Sequence, residues 1–304
     1  MSATVPDEQG GPALDLGGWE PHLVTSEEYV DPAPVAAVQA LLDDGLPAVG
    51  VGDPLPPLWH WVAVPRWTPS AQLALDGHPV KGSFLPPVPQ PRRMWAGGEV
   101  TLHAPLVVGT TARRESEVVS VQPKRGRSGD LVIVTTMTRL HTPEGVLAVE
   151  ERQDLVYRDA GPAGSRQPAE ELLAATSGQR PGVPLERQGE WDWSLSTDPS
   201  LLMRFSAATA NAHRIHYDWP YATQVEGYPG LVVHGPLMTL SLAETVRLER
   251  PGARVTRLAH RNLAPLFCGQ PASLRAVETS EAEVTLGLFS ADTQRTSLTV
   301  TVDS

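Results

Sequence analysis

Two series of Val- and Thr-rich segments with partly alternating apolar and polar positions dominate the chain. The first runs through Thr111–Gln122, Asp130–His141 and Val146–Arg158; the second runs through Ala272–Ser280, Glu283–Ser290 and Arg295–Val302. Period-two alternation, broken by Gly, Pro, Asn, Asp and Ser, predicts antiparallel strands joined by turns. Gly126–Asp130 and Pro143–Gly145 carry the turn signals, and the Gly97-Gly98 pair reads as a further turn. An extended segment precedes each series, Glu99–His103 and Val255–Leu263. A six-residue echo then follows: Ala104-Pro105-Leu106-Val107-Val108-Gly109 returns 160 residues later as Ala264-Pro265-Leu266-Phe267-Cys268-Gly269. One echo heading both series predicts a duplicated α+β unit.

Helical spacing replaces alternation in three places. Ser26–Leu42 includes a packed apolar run from Val35 to Leu42. Asp198–Ala210 opens with Asp198 as N-cap and Pro199 in the first turn. Pro236–Leu248 has Gly235 before it, proline at the favoured first position and apolar residues through its first turns. A buried helix against a curved antiparallel sheet, met twice, predicts a tandem hot-dog fold. Ala160–Gly189 is rich in Ala, Gly, Pro and Gln and reads as a linker with a short helix around Pro168–Ala175. The expected division is therefore residues 1–160, a linker 161–190, and a second unit 191–304.

Composition narrows the class. With 304 residues, 41% hydrophobic and 19% charged, the chain has room for two globular domains. The single cysteine, Cys268, excludes an intramolecular disulfide framework and a multi-cysteine metal site. No apolar run has the length of a membrane span, and the N-terminus shows neither a basic n-region nor an apolar h-region, so a cytoplasmic protein is expected. Net charge is −11, and residues 1–65 hold ten acidic residues and no Lys or Arg. Without a concentrated basic surface, nucleic acid is not an expected partner.

Three of the nine histidines fall within 22 residues: His213, His216 and His234. His213 and His216 are three apart, whereas helical zinc proteases space their histidines by four around a glutamate. No glutamate lies between them and no cysteine is near, so no metal is expected.

Phe205–Ala222 and Gly230–Leu237 resemble the active-site region of the MaoC-like (R)-specific enoyl-thioester hydratases and dehydratases. The similar branch is that of mesaconyl-CoA hydratases and mitochondrial hydroxyacyl-thioester dehydratase type 2. Pro54–Trp61 and Phe84–Gly98 resemble landmarks of its N-terminal half, and the likeness spans roughly residues 17–160 and 198–302. The resemblance implies reversible hydration of an enoyl thioester carried on CoA or acyl-carrier protein, with no redox cofactor or metal. It also suggests further association into a homodimer. The family's Gly-Asp-x-Asn-Pro-Ile/Leu-His motif is altered here: its histidine is His216, but its aspartate becomes Asn211, its asparagine His213 and its proline Arg214. An amide cannot serve as a general base.

Laid on that motif, His216 takes the proton transfers and Asn211 holds the water or hydroxyl. His213 is either a second proton-transfer group or the residue that orients His216. The Gly235 N–H, at a helix N-terminus, is the candidate oxyanion donor. Val233 and His234 are candidate substrate contacts, although His234 also suits a turn-fixing role. Tyr217 and Tyr221 line a pocket or pack, and Asp218 is a cap or orients a histidine. Arg92 and Arg93 bind coenzyme A phosphates or stand solvated. Trp59-His60-Trp61 belongs to the core or walls an acyl tunnel. The first half has no counterpart of the histidine motif, so its expected task is to shape the acyl pocket. Three other readings stay open: a dehydratase of carrier-bound intermediates, a non-catalytic thioester-binding protein, and a thioesterase.

Overall fold

The structure, a computed structural model, describes residues 14–126, 129–159, 169–178 and 180–303. In chain order its elements are β1 (Val24–Tyr29), α1 (Pro32–Leu42), α2 (His60–Ala63), β2 (Arg92–Leu102), β3 (Thr111–Gly126), β4 (Gly129–His141) and β5 (Leu147–Arg158). The chain continues with α3 (Ala169–Thr176), β6 (Leu185–Gly189), β7 (Asp192–Leu195), α4 (Pro199–Ala208), α5 (Gly235–Glu249), β8 (Arg254–Asn262), β9 (Ala272–Thr279), β10 (Glu283–Ser290) and β11 (Thr293–Asp303). All strands join one antiparallel sheet in the order β1-β3-β4-β5-β2-β8-β11-β10-β9-β7-β6. Outward from the β2–β8 seam, the order β2-β5-β4-β3-β1 is matched by β8-β11-β10-β9-β7. The echo marks this duplication. Gly109 and Gly269 both take left-handed backbone, φ 87° and 83°. The Leu55 N–H donates to Leu106 O at 2.7 Å, and the Val233 N–H donates to Leu266 O at 2.8 Å.

The two halves differ in their central helix. Helix α5 begins with Pro236 in its first turn, buries every side chain from Leu237 to Val246, and packs on β9, β10 and β11. In the first half, the segment after Leu55 forms only the single turn α2, because Pro65 and Pro69 remove the donors a longer helix needs. Val35, Val38, Leu41 and Leu42 of α1 help fill the space, in one apolar core continuous with α5. The chain released by that short helix, residues 65–91, carries a small hairpin between Leu73 and Pro79.

Two expectations are corrected. The first part of Ser26–Leu42 is strand β1, not helix; its exposure alternates and it pairs with β3 from Val24↔Ser116 to Tyr29↔Thr111. The helix starts only after Asp31, whose carboxylate caps the Ala33 N–H. Gly97 and Gly98 lie inside β2 and form no turn. Glycine is needed there because a Cβ would stand 2.6 Å from His260 O at Gly97 and 2.2 Å from Arg152 O at Gly98. Within the stretch read as a linker, Ala169–Thr176 forms α3 and Leu185–Gly189 forms β6. Residues 160–168 lie outside the described residues. Among the described residues, no helix is long and apolar enough to cross a membrane.

Candidate active site

The histidine site starts where α4 ends. Asp198 caps that helix through the Ser200 and Leu201 N–H groups. After Ala210, which has φ 51°, Asn211 Oδ1 accepts the His213 N–H at 3.0 Å and starts a tight turn over Arg214–His216. That turn is strapped to the segment entering α5. The Val232 N–H donates to Ile215 O at 3.0 Å, and His216 Nδ1 lies 2.7 Å from Val232 O. A carbonyl can only accept, so Nδ1 carries the proton and Nε2 holds the lone pair.

Beneath His216 lies His234, the N-cap residue of α5, with 3.7 Å between ring centroids and 18° between planes. His234 is fully buried, and its Nε2 shares a 2.8 Å hydrogen bond with Ser206 Oγ. Burial pushes the His216 pKa down to about 4, against the pull of the Val232 carbonyl. Burial also drives His234 well below the usual imidazole range, with the His216 charge next in weight. For His213 the cause is again burial, followed by His78 and His216. All three are thus neutral at pH 7.

A fourth histidine arrives from the first half of the chain. The 73–79 hairpin sets the His78 ring 4.0 Å from the His213 ring, at 38°. His78 Nδ1 donates to Asp76 Oδ2 at 2.8 Å, while the His78 backbone N–H donates to Asp76 Oδ1 at 2.9 Å. Arg214 docks the hairpin, donating its N–H to Asp76 O at 2.9 Å and its Nη1 to Leu75 O at 3.1 Å. Gly77 permits the approach: φ is +88°, and a Cβ there would come within 1.8 Å of Ala212 O. Burial and the Arg93 charge bring His78 down to about 4 despite Asp76. Burial works to raise Asp76, but the hydrogen bonds and charge of His78 hold its carboxyl low.

Ligand-type atoms of Asp76, His78 and His213 lie within 4.8 Å of one another. His78 spends Nδ1 on Asp76, and its ring lies tilted against that of His213, the geometry of a hydrogen-bonded pair packed on a third ring. No motif in the sequence announces this pair. Its one local signal is the tight Asp76-Gly77-His78 turn inside a proline-rich loop.

The remaining candidates separate clearly. Tyr217 is 44% exposed, and its hydroxyl donates to Ala212 O at 2.9 Å. Val233 is buried and strapped to Leu266. Tyr221 is buried, with its hydroxyl 3.2 Å from Glu226. Asp218 accepts from Arg214 and caps the Tyr221 N–H. Arg92 is engaged by Glu226 through a 2.9 Å ion pair and a 2.6 Å bond to its carbonyl. Arg93 has no ion-pair partner among the described residues, and its charge acts on His78 and His213. Gly235, half-buried, opens α5 directly after His234; a Cβ there would meet Trp95 Cε3 at 2.8 Å and Asn262 Nδ2 at 2.9 Å. Trp61 Nε1 donates to Glu151 at 2.7 Å, and His60 Nε2 lies 3.1 Å from the same carboxylate.

A duplicated sheet-and-helix body, with a histidine cluster at the mouth of its one long central helix, defines a double hot-dog enzyme of the MaoC-like dehydratase class. The family model of hydroxyacyl-thioester dehydratase type 2 (Htd2) matches residues 58–268, and the chain belongs to that family. It is 42% identical to the "Mesaconyl-C(4)-CoA hydratase" of Chloroflexus aurantiacus over 87% of this chain and 89% of the relative. It is 26% identical to the mitochondrial "Hydroxyacyl-thioester dehydratase type 2" of Schizosaccharomyces pombe over 84% of this chain and 90% of the relative. HtdX of Mycobacterium tuberculosis shares the fold, with a TM-score of 0.60 at 18% identity over 92% of this chain and 99% of that one. So does a double-hotdog protein of the same organism, with a TM-score of 0.53 at 16% identity, covering 94% and 96% of the two chains. The chain is an enzyme of the hydratase/dehydratase kind, a hydro-lyase.

Proposed function

We propose that this chain adds water reversibly to the double bond of an enoyl thioester, with His216 Nε2 as the proton-transfer group. The hydrogen bond from His216 Nδ1 to Val232 O carries the reading, since it fixes the tautomer whose other nitrogen is a base. In hydration, His216 takes one proton from water as the oxygen bonds the β-carbon. The π pair moves onto the α-carbon and thioester oxygen, and His216 returns the proton to the α-carbon. His216 starts as the neutral imidazole, is an imidazolium only while it holds the water's proton at Nε2, and is neutral again once that proton reaches the α-carbon. Such proton transfer is worth about 10²–10⁴-fold in rate.

Asn211 keeps its amide NH₂ for the water or hydroxyl oxygen, because its Oδ1 is committed to the His213 N–H. The Gly235 N–H, in the first turn of α5, faces the charge developing on the thioester oxygen with the helix dipole behind it; one such donor is worth about 3 kcal/mol. A small or dicarboxylic acyl group on CoA, such as mesaconyl, fits the name of the 42% relative. The charge of Arg93, free of any ion pair among the described residues, suits an anionic group of that substrate.

Mass spectrometry of wild type and His216→Ala with crotonyl-CoA, mesaconyl-CoA and the matching acyl-carrier thioesters tests the reading. Gain of one water that depends on His216 is the expected result. Less than a tenfold loss of rate in His216→Ala would sink the catalytic assignment. Free thiol release would point to a thioesterase.

A further inference from the structure

A second acceptor, one for each hydrogen, sharpens the direction in which a water held by the Asn211 amide attacks, and the proposed site so far names one. His216 Nε2 is that acceptor. The family's carboxylate position is Asn211, whose oxygen already accepts the His213 N–H. Among the described residues, no hydrogen bond sets the tautomer of His213. A lone pair suited to the second hydrogen is carried by the other half of the fold, on the ring that lies against His213. Asp76 accepts the hydrogen bond of His78 Nδ1 and so assigns the lone pair of His78 to Nε2, an atom that is not sealed away and has no partner among the described residues. The side chain of His78 retains 14% exposure, more open than fully buried His234.

Resting on the hydratase reading above, we propose that His78, oriented by Asp76, is a catalytic residue supplied by the N-terminal half: its Nε2 accepts the second hydrogen of the water whose first proton goes to His216. One O–H bond of the water breaks toward His216 and its proton ends on the α-carbon. The other survives as the hydrogen of the product hydroxyl, still donated to His78. No charge accumulates on His78, and nothing is oxidised or reduced. Asp76 is a positioning residue, acting only through the tautomer it fixes.

The groups that face His78 agree with an acceptor rather than an imidazolium. Asp76 favours the charged ring, while burial and the Arg93 charge oppose it and prevail. The hairpin is also built for this place. Arg214, inside the histidine motif, grips it at two carbonyls. Gly77 is the residue that lets its backbone touch Ala212, next to His213. A loop that only walled an acyl chain would need neither.

The test uses His78→Leu, which has no acceptor, His78→Gln, which keeps one, and Asp76→Asn, which releases the tautomer. Hydration of crotonyl-CoA, thioester binding and thermal melting are measured for each. Expected are about a 10²-fold slower turnover in His78→Leu with Kd and melting unchanged, partial recovery in His78→Gln, and an intermediate loss in Asp76→Asn. Turnover within threefold of wild type in His78→Leu overturns the proposal, as does a loss of turnover that tracks lost melting temperature or binding in all three. If wild type hydrates nothing, the hydratase reading fails separately. His78 is then judged by diethyl pyrocarbonate modification, where shielding by crotonyl-CoA supports its place in the site and no shielding overturns it. Activity abolished by a chelator, with Zn²⁺ binding lost in Asp76→Asn, overturns it in favour of a metal site at Asp76, His78 and His213.

Discussion

The ring of His216 lies flat on the ring of His234, 3.7 Å away, and only His216 retains any exposure. On the proposed reading, His216 is the tool and His234 its bench. His234 is sealed, its Nδ1 has no partner among the described residues, and Ser206 binds its Nε2. The same His216 ring that stacks on His234 makes the hydrogen bond to the Val232 carbonyl that sets its tautomer.

Ser206→Ala therefore loosens the bench without touching the tool. Leaving His234 Nε2 unpaired in a closed space costs about 1–3 kcal/mol, which thermal unfolding reads as a fall of several degrees. The hydration rate is expected within tenfold of wild type, because the bond from His216 to Val232 is independent of Ser206. A stable Ser206→Ala protein with no activity contradicts this division of roles.

The pH profile follows from the same burial. Only neutral His216 has a base at Nε2, and its pKa is pushed down to about 4. Activity is present above that value and lost as pH falls through it, so the acid limb of kcat/KM belongs near 4 rather than at the ordinary 6.5 of imidazole. Initial rates from pH 4 to 8 check this. A limb centred at 6.5 would mean that His216 is solvated when it works.

Much of this arrangement was legible in the sequence, for physical reasons. Strand β10 matches Glu283–Ser290 because the residues flanking it, Ser280 to Ala282 and Ala291-Asp292, form tight turns. Helix α5 was legible because Pro236 fits a first turn and nothing else nearby. The echo had a conformational cause, left-handed glycine at 109 and 269. Strand β1 was misread because it abuts α1 and its acidic residues carry little strand propensity. The Asp76–His78 pair stayed hidden for a different reason. Its turn has no periodicity, and its meaning comes from His213 and Arg214 on the other half of the chain, a contact that local pattern does not encode.

Gly235 tests the oxyanion donor and the seam together. Its missing Cβ makes room for the Trp95 ring and for Asn262, whose amide donates to Trp95 O at 3.0 Å. Gly235→Ala forces that contact apart, at about 1–3 kcal/mol of overpacking, and displaces the first turn of α5, which carries the proposed donor. Turnover is expected to slow by about 10²-fold or more, together with a lower melting temperature. Unchanged turnover at full stability assigns the donor elsewhere.

Stability should fall on mild acidification, because buried histidines resist the protons that unfolded ones accept. His78, His216 and His260 titrate near 4 in the folded chain, and His213 and His234 also stay low, in each case because burial penalises the charged ring. Unfolded histidines take up protons near 6.5. Between those values the unfolded chain binds more protons, so stability is present above about 6.5 and is lost as pH falls toward 4. Each tenfold difference in proton affinity is worth about 1.4 kcal/mol. Glu244 works the other way: burial raises it to about 7, so between 4.5 and 7 the folded state gains a proton there as pH falls. Five histidines outweigh one carboxyl, and the urea midpoint is expected to be lower at pH 5 than at pH 7.5. His260→Phe, which keeps a ring on Trp95 but removes two sealed nitrogens that have no partner among the described residues, should shallow the slope. Glu244→Gln should steepen it, since it deletes the opposing group. Equal midpoints at the two pH values in wild type would show that the histidines take up protons in the folded state.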